Sequence, residues 1–148
     1  MAELHRRYRF GDRDPLDEQF AAAGLVYNRP EIVPNTKLAL RITELARECG
    51  VHERFHDRLM DAYWSEASDI GRADELRRLA SEVGLDADKV ERVIEDPSLY
   101  LGEVESSTQQ AQSIGINAIP AVLLDRRLIV LGAQRLQVFR SAFAQLAA

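Results

Sequence analysis

The chain has 148 residues and a mass of 16.7 kDa, and 46% of its residues are hydrophobic and 29% charged. This size and composition predict one compact globular domain with a hydrophobic core. A formal net charge of −5 and a pI near 5.2 argue against a surface that binds nucleic acid, because such surfaces neutralise phosphates with Lys and Arg. No segment reaches the roughly 18 consecutive apolar residues of a membrane span, and the first residues lack the apolar core of a signal peptide. We therefore expect a cytoplasmic protein that binds neither nucleic acid nor membrane.

Helical periodicity dominates the first three quarters of the chain. Residues 1–34 are predicted to be an irregular N-terminal segment with a short helix near 14–23, and residues 35–115 a helical region. Asn35 or Thr36 can cap its first helix, which Gly50 ends. Further helices are predicted over 51–67, between Gly71 and Gly84, from about Asp86 to the residues before Pro97, and over 98–114. The residues predicted to face inward are Leu38, Ile42, Leu45, Ala46, Cys49, Phe55, Leu59, Ala62, Tyr63, Leu76, Leu79, Ala80, Val83, Val90, Val93 and Ile94.

The periodicity changes after Gly115. The apolar runs IPAVLLD at 119–125 and LIVLGA at 128–133 are of strand length, and the short connection through Arg126 and Arg127 predicts a tight hairpin. A last helix is predicted from about Arg135. Its predicted buried residues are Leu136, Phe139, Ala142, Phe143 and Leu146.

Cys49 is the only cysteine, which excludes an internal disulfide and a cysteine-based zinc site. It ends the apolar series of the first long helix just before Gly50. This position favours a packed thiol over a reactive one.

Residues 52–56 read HERFH, which matches the His-Glu-x-x-His pattern of zinc hydrolases. His52 and His56 would be two ligands, and Glu75 is the carboxylate best placed by spacing to be a third. His52, however, falls in the first turn of its helix, where the positive end of the dipole disfavours a cation. We therefore predict no metal and keep a zinc hydrolase as a remote alternative.

Four stretches together resemble one family. They are PNTKLALRITELARECG, FHDRLMDAYWSEASDIG, LRRLASEVGLD and IGINAIPAVLLDRRLIVLGAQ, within residues 33–146. The combination is similar to the DsbA family in its FrnE-like branch, which is related to 2-hydroxychromene-2-carboxylate isomerases and kappa-class glutathione transferases. The resemblance implies an α/β, thioredoxin-like fold, here incomplete: a mostly helical insert, then a C-terminal β-hairpin and helix at 116–148.

Residues 1–34 lack the N-terminal unit that the family resemblance implies. The family places a strand, a helix with Cys-x-x-Cys or a serine, and a second strand ahead of the helical insert, and residues 1–34 have no cysteine and no room for that unit. We therefore expect the strand at 121–124 to have an unpaired, apolar edge. A homodimer is the favoured way to cover this edge, and the N-terminal segment is the alternative.

The resemblance assigns six site residues. Ile119 and Pro120 match the substrate-facing loop with a cis-proline, Ala133 and Gln134 match residues that help to hold glutathione in some relatives, and Asn35 and Thr36 match a pair that borders that site. Each also has a purely structural interpretation, as a strand start, a surface position or a helix cap. Glutathione is a cofactor only through this resemblance.

Two hypotheses for the function follow. The first is a thiol-disulfide oxidoreductase or glutathione-linked isomerase of the DsbA type, which acts on peptide or protein thiols but here lacks the classical dithiol. The second is a non-catalytic module that binds a peptide or partner through the cis-proline loop or the open sheet edge. Whether the chain is an enzyme stays open at this point.

Overall fold

The computed structural model describes residues 15–147. Seven α-helices and one β-hairpin are found in this range. The helices are α1 (Pro15–Ala22), α2 (Lys37–Glu48), α3 (His52–Met60), α4 (Ala73–Glu82), α5 (Ala87–Glu95), α6 (Leu101–Ser113) and α7 (Leu136–Ala147), and the strands are β1 (Ala121–Leu124) and β2 (Leu128–Leu131).

The described residues divide into two compact units, with the boundary between Leu101 and Gly102. The first, which we call the helical unit, contains α1 to α5. The second, the hairpin unit, contains α6, both strands and α7. The predicted boundaries at 34/35 and 115/116, and the prediction of a single compact domain, stay predictions.

The helical unit has a well-packed apolar core. Phe55, Ile42, Leu76, Leu79 and Val93 are its largest fully buried side chains, and each lies on a helix face that the 3.6-residue spacing predicted. Most of the predicted inward residues are buried; Leu38, Cys49, Tyr63 and Ile94 are only partly buried and pack against the core. The burial of aliphatic and aromatic side chains is the main term that stabilises this unit.

Local signals set most of the helix ends. Gly50 and Gly84 follow α2 and α4 with φ of 73° and 79°, a conformation that costs a glycine little. At the start of α5 the Asp86 carboxylate accepts a hydrogen bond from the Lys89 backbone N–H at 2.9 Å. These predicted boundaries are confirmed to within a few residues.

The predicted helix over 51–67 needs a correction. Regular α-helix ends at Met60, and Asp61–Ser65 form a π-helical turn in which the Glu66 N–H donates to the Asp61 carbonyl. The turn coincides with a tertiary contact: the Asn28 backbone N–H donates to the Trp64 carbonyl at 2.8 Å. Helical periodicity carries no information about such a contact.

Aromatic rings attach the segment after α1 to this turn. Phe20, Tyr27 and Trp64 form a cluster in which the Phe20 and Tyr27 ring centroids lie 4.7 Å apart and the Phe20 and Trp64 centroids 5.9 Å apart. The Ser65 hydroxyl donates to the Val26 carbonyl at 2.9 Å. Residues 23–28 are thus held in place by contacts and not by regular secondary structure.

The hairpin unit contains a two-stranded antiparallel sheet. Ala121 pairs with Leu131 and Leu124 with Leu128. Asp125 and Arg126 at the turn have φ of 49° and 53°, the sign that a type I′ turn requires, so the predicted hairpin forms without glycine. The strands are shorter than predicted, and Ile119, Pro120, Gly132 and Ala133 lie outside them.

Helix α7 also differs from its prediction. Of its five predicted core residues, only Ala142 is buried, Phe139 and Leu146 are half-buried, and Leu136 and Phe143 are 64% and 58% exposed. Within the described part of the unit, α7 packs on β2, which covers one stripe of the helix. The apolar face of α7 is therefore wider than the stripe that β2 covers.

Candidate functional site

The loop between α6 and β1 is the first element of the candidate site. α6 ends where the Ile116 N–H donates to the Ala111 carbonyl at 3.0 Å and the Gly115 N–H to the Gln112 carbonyl at 3.0 Å, the paired bonds of a Schellman motif. The chain then runs through Asn117 and Ala118 to the Ile119–Pro120 peptide bond, which is cis. We call residues 115–120 the proline loop.

Ile119 is the most exposed large hydrophobic residue of the described chain. Its relative exposure is 90%, although a branched aliphatic side chain is usually buried. Such exposure next to a fixed backbone feature leaves an apolar contact available to a binding partner.

An open groove of about 830 Å³ runs along the proline loop within the hairpin unit. Its helical wall is formed by Ser107, Thr108, Ala111 and Gln112, which lie one turn apart on a single face of α6. Its other wall is formed by residues 115–119. The lining combines hydroxyl and amide groups with apolar side chains, a composition that suits an extended peptide better than a charged ligand.

The second candidate pair lies beside the proline loop. The Gly132 N–H donates to the Pro120 carbonyl at 2.7 Å, which fixes the residues after β2 next to the start of β1. Ala133 and Gln134 follow directly, and both are exposed. The structure thus brings four of the six predicted site residues to one end of the hairpin.

Two of the polar side chains predicted to border a glutathione site, Gln134 and Asn35, have structural hydrogen-bond partners. The Gln134 Nε2 donates to the Leu131 carbonyl at 2.8 Å and closes the end of β2. The Asn35 Oδ1 accepts from the Lys37 N–H at 3.1 Å, while Thr36 is the N-cap of α2 without a side-chain cap bond. This arrangement supports their structural interpretations and shows no donor set built for the glutamyl carboxylate, so we derive no step through glutathione.

Asn35 and Thr36 belong to the helical unit, where Gly71 approaches them. A Cβ added at Gly71 would lie 3.0 Å from the Asn35 carbonyl oxygen and 3.1 Å from its nitrogen. A larger residue at position 71 would require the Asn35 backbone to move by a few tenths of an ångström. In the sequence, Asp69 and Gly71 indicated a turn before a helix, but nothing indicated that this turn would contact Asn35.

The single thiol lies elsewhere in the helical unit. Cys49 is the C-cap residue of α2, is partly buried and packs against the core, as predicted. Its Sγ lies 3.9 Å from the Lys89 Nζ. With one cysteine in the sequence, an internal dithiol cannot form.

Phe55 of the HERFH stretch lies in the core, whereas His52 and His56 lie at the surface of the helical unit. The His52 and His56 rings stack with centroids 6.1 Å apart, and the Arg47 Nη2 lies 2.9 Å from the His52 Nε2. Glu75 accepts two hydrogen bonds from Arg78, which lower the pKa of its carboxyl. Within residues 15–147, no group of three His, Cys, Asp or Glu side chains is close enough to hold a metal ion.

The comparisons with known proteins agree with this geometry. The model of the DSBA-like thioredoxin domain matches residues 14–144. The chain belongs to this family. Its thioredoxin-like α/β class, predicted from the sequence, is thereby confirmed, and the chain is related to the DsbA-type oxidoreductases.

Two relatives show the extent of the similarity. The crystal structure of a probable DsbA oxidoreductase from Streptomyces coelicolor matches with a TM-score of 0.79 at 36% identity, over 88% of this chain and 56% of that one. An uncharacterised protein of Bacillus subtilis, YwbO, is 27% identical over 123 residues, which are 82% of this chain and 61% of YwbO. The chain thus spans about 60% or less of the length of these two relatives.

One part of the site was missed from the sequence. The α6 face that lines the groove is polar and was interpreted only as part of a helix. The spacing of Ser107, Thr108, Ala111 and Gln112 places them on one face that continues into Gly115, and this spacing is the signal that would have identified them.

No helix in the described range is long and apolar enough to cross a membrane.

Proposed function

We propose that this chain provides the substrate-binding surface of a DsbA-type oxidoreductase and carries out no dithiol exchange of its own. Support comes first from the 90% exposure of Ile119 beside Pro120 and the groove. The chain would bind an extended segment of a peptide or unfolded protein. The apolar side chains of this segment would pack on Ile119, and the segment's backbone would lie against the proline loop.

The chemical part of the proposal follows from the cysteine count. Thiol-disulfide exchange requires a thiolate that attacks a disulfide and a second thiol that resolves the mixed disulfide. Cys49 is the only cysteine, and its packed position at the end of α2 does not suit attack on a large substrate. Binding without exchange is therefore the activity that these residues can supply.

The predicted cytoplasmic location stays a prediction.

Binding can be measured apart from redox chemistry with a fluorescently labelled, carboxymethylated insulin B chain, whose thiols are blocked. We expect saturable binding by anisotropy, and we expect Ile119→Asp to weaken it about tenfold or more, because a carboxylate would be desolvated in the apolar contact.

Leu136→Asp is the matched control. Leu136 is a 64% exposed aliphatic residue of the same unit, but it does not line the groove. Equal affinity of wild type and the Ile119 variant, or an equal loss in the Leu136 variant, would refute binding at the proline loop.

A further inference from the structure

The outer edge of β1 carries a regular set of unused backbone groups. The bond from the Gly132 N–H to the Pro120 carbonyl marks residues 120 and 132 as a hydrogen-bonded pair. Because such pairs recur at every second residue of an antiparallel ladder, Val122 and Leu124 also direct their N–H and C=O groups toward β2. The corresponding groups of Ala121 and Leu123 therefore point away from β2.

Nothing among the described residues pairs with this edge, since the sheet that they form contains only β1 and β2. Residues 15–34, which were a predicted alternative cover, form no strand in the structure. The strand itself reads Ala-Val-Leu-Leu and carries none of the charges that commonly protect an edge strand. Val122 and Leu123 are 37% and 41% exposed.

The hairpin unit also buries few of its own apolar side chains. In the described chain, its buried hydrophobic residues are Val130 and Ala142, whereas the core cluster lies entirely in the helical unit. A two-stranded hairpin is marginally stable in water without a further strand or an additional apolar cover. An added strand at β1 would supply both hydrogen bonds and apolar contacts.

We propose that the added strand is β1 of a second copy of this chain, paired antiparallel about a two-fold axis at Val122. In this register Ala121 of each copy faces Leu123 of the other. The two equivalent pairs exchange two hydrogen bonds each, which uses every outward group of these residues. Shifting the register by two residues would break one of these pairs.

Two further features of β1 fit this register. Pro120 faces Leu124 of the second copy in a non-hydrogen-bonded pair, where the missing proline N–H is not needed. The stretch from Pro120 to Leu124 contains no charge, so no like charges meet across the axis. The edge is thus complementary to itself, as a two-fold interface requires.

Sedimentation velocity at micromolar concentration tests the dimer, and a matched pair of variants tests its location. Val122→Lys would place two ammonium groups opposite each other at the axis, and we expect it to weaken dimerisation about tenfold or more. Leu136→Lys, at an exposed aliphatic residue of α7, should leave dimerisation unchanged.

A crosslink provides an independent test. In a Cys49→Ala background, Val122→Cys would bring two thiols together in a non-hydrogen-bonded pair, where Cβ atoms lie about 4.5–5.5 Å apart. Copper-phenanthroline with dissolved oxygen would accept the two electrons, and a disulfide-linked dimer should form. Leu136→Cys in the same background should give only background crosslinking.

Each alternative outcome overturns the proposal. A wild-type monomer would mean that the edge is open or covered by residues of the same chain. A dimer that Val122→Lys does not weaken, or that Val122→Cys does not crosslink, would mean that the copies meet at another surface.

Discussion

Arg41 offers a sharp test of what stabilises the helical unit. It lies on α2 and is only 7% exposed. Its Nε donates to the Leu99 carbonyl at 2.7 Å, and its Nη2 donates to the carbonyls of Val93 and Asp96. These carbonyls belong to the end of α5 and the turn after it, where helix carbonyls lack partners and a positive charge is favourable.

The expected cost of removing the guanidinium follows from these contacts. Arg41→Met keeps most of the aliphatic stem but removes all three hydrogen bonds. A hydrogen bond to a charged group contributes about 1.5–3 kcal/mol, and such values do not add fully within one cluster. Asp96 and Leu99 are exposed, so water can replace part of the loss at their carbonyls. We therefore expect a destabilisation of about 2–4 kcal/mol.

Urea unfolding followed by the fluorescence of Trp64 measures this change, because Trp64 is the only tryptophan and belongs to the helical unit. Arg41→Lys should fall between wild type and Arg41→Met, since an ammonium keeps the charge but lacks the planar fork. Arg92→Met, at an exposed arginine of α5, is the control and should change stability little. A loss of less than about 0.5 kcal/mol in the free energy of unfolding for Arg41→Met would refute the interpretation that Arg41 stabilises the unit by capping the end of α5 and joining it to α2.

Three further predictions concern the same unit. Phe55→Ala removes a fully buried ring and should lower the free energy of unfolding, measured with urea, by about 3–5 kcal/mol. A loss below about 1 kcal/mol would contradict the position of Phe55 in the core. Asp86→Ala removes the α5 cap and should cost about 1 kcal/mol, whereas Asp86→Asn should retain most of it. A hydrogen bond from Arg58 lowers the pKa of the Glu82 carboxyl. The stabilisation from this pair is therefore complete above the unfolded pKa of about 4.3 and is lost as the pH falls through the lower folded value. The melting temperature of Glu82→Gln should accordingly depend less on pH between about 5 and 2 than that of wild type, and identical profiles would exclude the pair as a contributor.

Sequence reasoning worked best where the determinants are local. The ends of α2, α4 and α5 follow from Gly50, Gly84 and Asp86, and the inward faces follow from helical spacing. The site at the end of the hairpin was also accessible, because antiparallel pairing of two adjacent runs brings Pro120 next to Gly132.

The errors arose where a distant segment decides the local structure. The π-helical turn at Asp61–Ser65 accompanies the docking of Asn28, which no periodicity encodes. The α7 pattern predicted burial of Leu136 and Phe143, but spacing indicates which face is apolar and not whether anything covers it. Arg41 was overlooked because only apolar residues were assigned to the inner face, although its spacing of three from Leu38 and four from Leu45 places it on the inner side of α2.

Reduction of insulin by dithiothreitol, followed by turbidity, separates substrate binding from thiol exchange. If the chain presents substrates without exchanging thiols, wild type and Cys49→Ala will both give the rate of dithiothreitol alone. Turnover above that rate in wild type would contradict this proposal. If such turnover persisted in Cys49→Ala, it would require a catalytic group other than the chain's only thiol.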